Sequence, residues 1–255
     1  MILFRLSTFI CAIVLLFLAG CGARHPSGNH LKDEDNRHMT CRYDGDDFEV
    51  EYFGSDYSGS ADDGYDEAAV SCGTNVSALY DGDDIIVFDG NRRGFYSEFA
   101  DDANSHALVA AGTNVAGGYD GDNFIVYDAL NNDFSSEFAD DDVAVAKMAA
   151  GEDLVMFYDG DNLMIYDARR HSFSSEFADD NEPNAAIAAG RGGALAYDGD
   201  NLFAYCVYQG RWTSEFADDG EHAEAGVNED TGQPQIRVGS RMFELNPLRC
   251  DIESN

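Results

Sequence analysis

Short apolar runs, broken by glycine- and aspartate-rich turns every eight to ten residues, set the pattern of this chain. Leu154–Tyr158 is one such run; an Asp-Gly turn follows, and then a second run, Leu163–Tyr166. After a polar bend comes Phe173–Phe177, which alternates aromatic with polar residues, and a small-residue stretch, Ala185–Gly190, opens the next cycle. Runs of this length carrying β-branched and aromatic residues predict strands, and Asp-Gly between two of them predicts a hairpin. A helix is a poor fit, because glycine and turn residues interrupt its period before three turns can form.

The cycle has a fixed length. Tyr-Asp-Gly-Asp begins at Tyr80, Tyr119, Tyr158 and Tyr197, a spacing of 39 each time, with a looser copy at Tyr43. Ser-Glu-Phe-Ala-Asp-Asp recurs at residues 97–102, 136–141, 175–180 and 214–219, always 17 positions after the tyrosine. In the first copy it decays to Ser58-Gly59-Ser60-Ala61-Asp62-Asp63, and after the last copy Val238–Phe243 falls where the turn would recur. Six copies of the turn therefore stand in the chain. Four meandering strands in a repeat of about 40 residues are the outline of a β-propeller blade.

The composition of each segment suggests its place in a blade. Middle strands are covered on both faces and read as continuous apolar runs, as Ile85–Phe88 and Phe124–Tyr127 do. Innermost strands crowd the axis and need small side chains, which Ala107–Gly112 and Ala185–Gly190 supply. Ser135-Ser136-Glu137-Phe138 has the mixed character of a wet outer strand. The expectation is an all-β propeller of six blades, the first lacking its inner strand and the last its outer one. A five-bladed ring, closed by pairing the two chain ends, is the alternative. The Trp-Asp signature of WD40 repeats and the glycine pair of kelch repeats are missing, so the likeness to propellers is one of architecture and brings no function with it.

The first residues are of another kind. A start with one positive charge, Arg5, leads into an uninterrupted run of apolar and small residues from Leu6 to Gly20, followed by Cys21. The run is short for a membrane span and has the length of a signal-peptide core. Leu18-Ala19-Gly20-Cys21 resembles the lipobox of bacterial lipoproteins. The resemblance implies that residues 1–20 are removed and that Cys21 becomes a lipidated N-terminus. Gly22 follows it in place of an aspartate, which favours an outer-membrane anchor. Residues 21–37 form the lipidated end and a polar tether, residues 38–250 the repeat domain, and residues 251–255 a short tail.

Charge narrows the partners. Removing residues 1–20 removes Arg5 and no acid, leaving 14 basic against 49 acidic residues and a formal charge of −35. Such a surface repels nucleic acid and anionic head groups. The chain is not disordered by composition, since 44% of its residues are apolar.

Candidate chemistry is repetitive. The turns place two aspartates one residue apart at Asp81 and Asp83, Asp120 and Asp122, Asp159 and Asp161, and Asp198 and Asp200. Calcium loops alternate oxygen ligands in this way, but the hairpin alone accounts for Asp-Gly, and one turn supplies too few oxygens. Glu98, Glu137, Glu176 and Glu215 stand before the recurring Phe-Ala-Asp-Asp, where charge also protects an outer strand against pairing with another sheet. Four cysteines follow Cys21: Cys41, Cys72, Cys206 and Cys250. An exported protein can oxidise them, and three pairings exist. A Cys41–Cys250 bridge would clasp the ring shut. His106, His171 and His222 occupy unrelated places in the repeat, Trp212 opens an outer strand as a packing residue, and no hydrolase elbow, phosphate loop or zinc-protease motif occurs.

These readings predict a membrane-anchored exported scaffold that binds a protein or glycan and carries no catalysis and no cofactor. A calcium-binding surface or adhesin-like protein, and a propeller hydrolase with carboxylates in its central channel, are the alternatives.

Overall fold

A computed structural model describes residues 39–61, 68–100, 106–139, 144–178, 182–217 and 222–254. The lipobox, Cys21 and the tether lie outside the described residues, as do the aspartate pairs that close each Ser-Glu-Phe-Ala-Asp-Asp copy.

The described residues form 23 strands in six antiparallel sheets, each a simple meander. Blade 1 holds β1 (Met39–Tyr43), β2 (Asp47–Tyr52) and β3 (Ser55–Ser60). Blade 2 holds β4 (Ala69–Cys72), β5 (Val76–Tyr80), β6 (Asp84–Asp89) and β7 (Gly94–Phe99). Blade 3 comprises β8 (Leu108–Ala111), β9 (Val115–Tyr119), β10 (Asn123–Asp128) and β11 (Asp133–Phe138). Blade 4 comprises β12 (Lys147–Ala150), β13 (Leu154–Tyr158), β14 (Asn162–Asp167) and β15 (Ser172–Phe177). In blade 5 are β16 (Ala186–Gly190), β17 (Gly193–Tyr197), β18 (Asn201–Cys206) and β19 (Arg211–Phe216). Blade 6 has β20 (Ala223–Val227), β21 (Pro234–Val238), β22 (Arg241–Asn246) and β23 (Asp251–Ser254).

This is the six-bladed propeller that the repeats predict, with two corrections at its end. The last blade does have an outer strand: residues 251–254 are β23, not a tail. Ile252 pairs with Leu245 and points into the blade, while Asp251 and Glu253 point to water. One apolar residue in four suffices for an outer strand wet on one face, and the repeat's Glu-Phe marker is missing there. The described ends of the chain, β1 and β23, are also not paired into one blade. Among the described residues, blade 1 has three strands, as expected, and keeps its own sheet.

The core is a series of layers between sheets. Each consecutive pair of blades encloses one cluster of buried residues, from Phe48, Val50 and Leu79 between blades 1 and 2 to Leu202, Ile236 and Phe243 between blades 5 and 6. No such cluster among the described residues joins blade 6 to blade 1. The second strands β5, β9, β13 and β17 are buried along their whole length, because a blade covers each face. In β2, by contrast, buried Phe48, Val50 and Tyr52 alternate with accessible Asp47, Glu49 and Glu51. In β21, Pro234, Ile236 and Val238 alternate with Gln235 and Arg237. Both end faces are written for water.

Near the axis the blades meet backbone to backbone. The N–H of Thr74 donates to the carbonyl of Gly112, that of Thr113 to Gly151, and that of Arg191 to Gly232. A Cβ on Gly112 would lie 1.9 Å from the Gly151 carbonyl oxygen, and one on Gly73 2.0 Å from that of Gly112. Only glycine permits this approach. It is why the small inner strands of blades 2 to 5 end in glycine, at Gly73, Gly112, Gly151 and Gly190.

Candidate functional site: grooves between outer strands

The Tyr-Asp-Gly-Asp unit resolves into a self-contained turn. Oδ1 of its first aspartate accepts the backbone N–H three residues on, at 3.0, 2.8, 2.7 and 2.8 Å for Asp81, Asp120, Asp159 and Asp198. The glycine between the two aspartates has φ of 117 to 122° at Gly82, Gly121, Gly160 and Gly199, a region closed to other side chains. The tyrosine hydroxyl donates to that glycine's carbonyl in all four turns. Burial pushes the Tyr158 hydroxyl up to about 12. The carbonyls of Asp83, Asp122, Asp161 and Asp200 accept the N–H of Ala100, Ala139, Ala178 and Ala217, which ties each turn to the end of its outer strand. The four leading aspartates are buried and oriented by this turn. Among the described residues, no group of three or more His, Cys, Asp or Glu side chains is arranged to hold a metal ion.

A second repeated unit lies at the far end of the third strand, and the sequence reading missed it. Asp89, Asp128 and Asp167 are fully buried. Each accepts a hydrogen bond of 3.0 Å from a tyrosine of the following blade: Tyr127 to Asp89, Tyr166 to Asp128, Tyr205 to Asp167. The same Oδ2 takes a second donor from its own turn: Arg92 at 2.6 Å, Asn131 at 2.7 Å and Arg170 at 2.6 Å. Burial, then the neighbouring carboxylate, holds the three tyrosine hydroxyls far above their ordinary range. The signal was present as a Tyr-Asp pair closing the third strand in successive repeats.

The staple is lost at both ends of the propeller; a disulfide links each end blade to its neighbour, in the staple's own place only between blades 5 and 6. Cys206 occupies the position of the staple aspartate in blade 5 and bonds Cys250, in the last turn of blade 6. Cys41 of β1 bonds Cys72 of β4. All four cysteines are oxidised, but the expected Cys41–Cys250 clasp is not formed. The reason is adjacency: each cysteine faces the neighbouring blade, and among the described residues no buried cluster joins the two end blades.

The histidines sit in three different blades and do not converge. His171 lies 3.2 Å from Asp128 and 2.6 Å from the Tyr166 hydroxyl, beside one staple. Trp212 packs edge-on against Tyr205 and donates to Ser174 at 2.9 Å, as expected of a packing residue.

What remains exposed is the rim. Phe99, Phe138, Phe177 and Phe216 are 68, 81, 84 and 68% accessible, although each belongs to a hydrogen-bonded strand. Glu98, Glu137, Glu176 and Glu215 precede them and are likewise exposed. Adjacent strand residues point to opposite faces, so register decides which wall each occupies. Glu137 pairs with Phe124, whose ring joins the cluster against blade 4. Phe177 pairs with Asn162, one pleat from Met164, which faces back toward blade 3. The groove between blades 3 and 4 therefore has a glutamate on one wall and a phenylalanine on the other. Glu98 and Phe138 share the groove between blades 2 and 3 by the same registers, and Glu176 and Phe216 that between blades 4 and 5. Phe99 faces blade 1 and Glu215 faces blade 6, and the described residues of those blades place no complementary residue opposite them. Three complete grooves result. The cleft beside Glu137 has a volume of about 300 Å³; Glu137 and Phe138 line it from blade 3 and Asp159, Asn162, Met164, Phe173, Ser174 and Ser175 from blade 4, while Phe177, at the end of β15, lies outside this lining.

No family model and no curated protein matches the chain. Among solved structures it is similar to apo AztD from Citrobacter koseri, with 11% identity and a TM-score of 0.41 over 72% of this chain. It spans 60% of that protein's length. It is also similar to Hsv2 of Kluyveromyces lactis, at 8% identity and a TM-score of 0.41 over 82% of this chain and 71% of that one. A chain of a mitotic checkpoint complex gives 9% identity and a TM-score of 0.45 over 85% of this chain and 75% of that one. At these values the likenesses add no functional argument.

Proposed function

We propose that this protein is an exported, lipid-anchored scaffold, held at the outer membrane through Cys21, that binds a partner along its rim and performs no catalysis. The observation that carries the reading is the threefold recurrence of one groove, with a large exposed aromatic in each. Solvent-facing phenylalanine at the same place in successive blades has no packing role, and periodic exposed apolar residues mark interaction sites. An active site needs unlike groups with separated pKa values in one place, whereas the rim repeats one pair. Equal weak sites in a row favour multivalent capture. Two disulfides suit an oxidising compartment, in keeping with export.

The test has two arms. Cys21→Ser should abolish labelling by a clickable fatty acid; unchanged labelling would remove the anchor from the proposal. A photo-crosslinking residue at Ser175 should trap a partner in the native envelope. Phe138→Ser, Phe177→Ser and Phe216→Ser together should abolish that adduct without changing the melting temperature. An adduct of equal yield in the triple variant would exclude the rim as the docking surface.

A further inference from the structure

We infer that the three grooves take lysine or arginine side chains of a cationic, extended polypeptide; this rests on the reading of the rim as a docking surface. Each groove opposes a carboxylate to an aromatic ring across the space between two sheets. Packed sheets lie about 10 Å apart, and blades radiating from an axis splay further at their outer strands. Glu137 on one wall and Phe177 on the other thus leave room for a cationic head between them. An ammonium or guanidinium group there gains the carboxylate on one side and the ring face on the other. Phenylalanine has no polar atom of its own, so the ring recognises by its face alone. Met164 and Phe173 on the wall of blade 4 suit the aliphatic stem behind such a head.

Charge excludes the other occupants. With 49 acidic against 15 basic residues, a second copy of the chain is repelled, as are nucleic acid and anionic lipid. A neutral glycan could stack on phenylalanine, but it would leave Glu98, Glu137 and Glu176 without a role. The repeat of 39 residues places the same pair in three successive grooves, so a partner carrying several spaced cations gains by avidity what one groove lacks.

The experiment measures binding of fluorescent lysine- and arginine-rich dodecapeptides to the intact, oxidised protein. An acidic dodecapeptide and a neutral oligosaccharide serve as comparators. Both cationic probes should bind, the acidic one should not, and affinity should fall with salt. Phe138→Ser, Phe177→Ser and Phe216→Ser together should weaken binding at least tenfold, and so should Glu98→Gln, Glu137→Gln and Glu176→Gln together. Phe99→Ser and Glu215→Gln lie outside complete grooves and should change affinity less than twofold. The inference fails if the phenylalanine variant binds like wild type, because the attraction is then bulk charge. It fails equally if Phe99→Ser and Glu215→Gln weaken binding as much as the groove variants. If the oligosaccharide alone binds, and the phenylalanine variant loses it, the cationic partner is wrong while the rim remains the docking surface. If no probe binds but the envelope adduct still depends on the three phenylalanines, the outcome is the same. If neither probes nor adduct depend on them, both readings fall together.

Discussion

The interfaces inside the propeller and those that join its end blades solve one problem with different chemistry. Blades 2 to 5 are held by a tyrosine of one blade donating to a buried aspartate of the blade before it, three times over. Blades 1 and 6 are held by disulfides instead. The substitution is literal at the far end. Cys206 stands where Asp128 and Asp167 stand in their strands, and Leu245 stands where Tyr166 and Tyr205 do. Among the described residues an end blade is packed on one face only, so it gains less burial than an inner blade and is the first to leave. A covalent link that restrains the unfolded chain suits that position, while a hydrogen bond suffices where both faces are buried. The outward faces of the end blades carry Arg42, Glu49, Glu51 and Asp56 on one side and Glu224, Arg237, Glu244 and Glu253 on the other. Terminal repeats with polar outer faces are what keeps a stack of repeats soluble. Both faces are net acidic, which opposes docking of one end on the other.

The strongest way to break this contrast is to cut an end link. Cys206→Ser with Cys250→Ser should cost about 2–5 kcal/mol, with hydrogen exchange accelerated in β20–β23 and little changed in blades 2 to 4. Uniform acceleration would show that the end blade is no separate unit. Adding Cys206→Asp and Leu245→Tyr to the Cys250→Ser background transplants the inner solution. It should recover part of the loss if the two devices are equivalent.

The axis offers a second contrast. Gly112→Ala drives a Cβ to 1.9 Å from a neighbouring backbone oxygen, whereas Gly226→Ala in β20 meets only the Gln235 side chain at 3.6 Å. The first should cost about 3 kcal/mol, as overpacking against backbone does, and the second should stay within about 0.5 kcal/mol. Thermal unfolding of the two variants tests the claim that blades touch backbone to backbone at the glycines that close the inner strands, and that Gly226 lies away from such a contact.

How much of this could be read beforehand follows the same divide. Blades 2 to 5 were legible because their local chemistry repeats: tyrosine, aspartate and glycine make the turn by themselves, and alanine-rich segments fit only near the axis. The end strand β23 was not, since half-buried Ile252 is its one apolar residue and no marker precedes it. Nor was the cysteine pairing, which depends on which blades are neighbours. The Tyr-Asp staple was visible as a recurring pair, but its partner lies one repeat away, so a reading confined to single repeats saw two unrelated residues. The same holds for the grooves. Glu and Phe are adjacent in sequence yet face different neighbours, and the pair that register turns toward the groove between blades 3 and 4 is Glu137 with Phe177, not Glu137 with Phe138.

A smaller effect separates the staples from the clusters around them. Tyr166→Phe removes a hydrogen bond to a buried carboxylate and leaves the ring in place, so it should cost about 1.5–3 kcal/mol. Tyr57→Phe, in the outer strand of blade 1, should cost less than about 0.5 kcal/mol, because that ring only packs against Phe88 there. Equal losses from the two substitutions would reduce the staple to packing.

The same staples give the protein an alkaline limit, and its sign can be worked out. Burial and the adjacent aspartates raise the folded-state pKa of Tyr127, Tyr166 and Tyr205 well above 10, the ordinary tyrosine value. Below pH 10 these hydroxyls are protonated in both folded and unfolded chains, so stability does not depend on their titration. Above pH 10 the unfolded chain loses these protons while the folded one keeps them, and stability falls as pH rises. Each tyrosine contributes up to about 1.4 kcal/mol of loss per pH unit in that window. Wild type should therefore show a flat midpoint from pH 8 to 10 and a steep fall from 10 to 11.5. The Tyr127→Phe, Tyr166→Phe, Tyr205→Phe variant should start lower and fall less steeply over the same range, since its staple positions no longer titrate. Absorbance near 295 nm in the folded protein gives the independent reading. Three fewer tyrosinates should form on unfolding at pH 11 in the variant than in wild type. A variant whose midpoint falls as steeply as wild type would mean that the alkaline limit belongs to other groups, and that the end-to-interior contrast has no signature in pH.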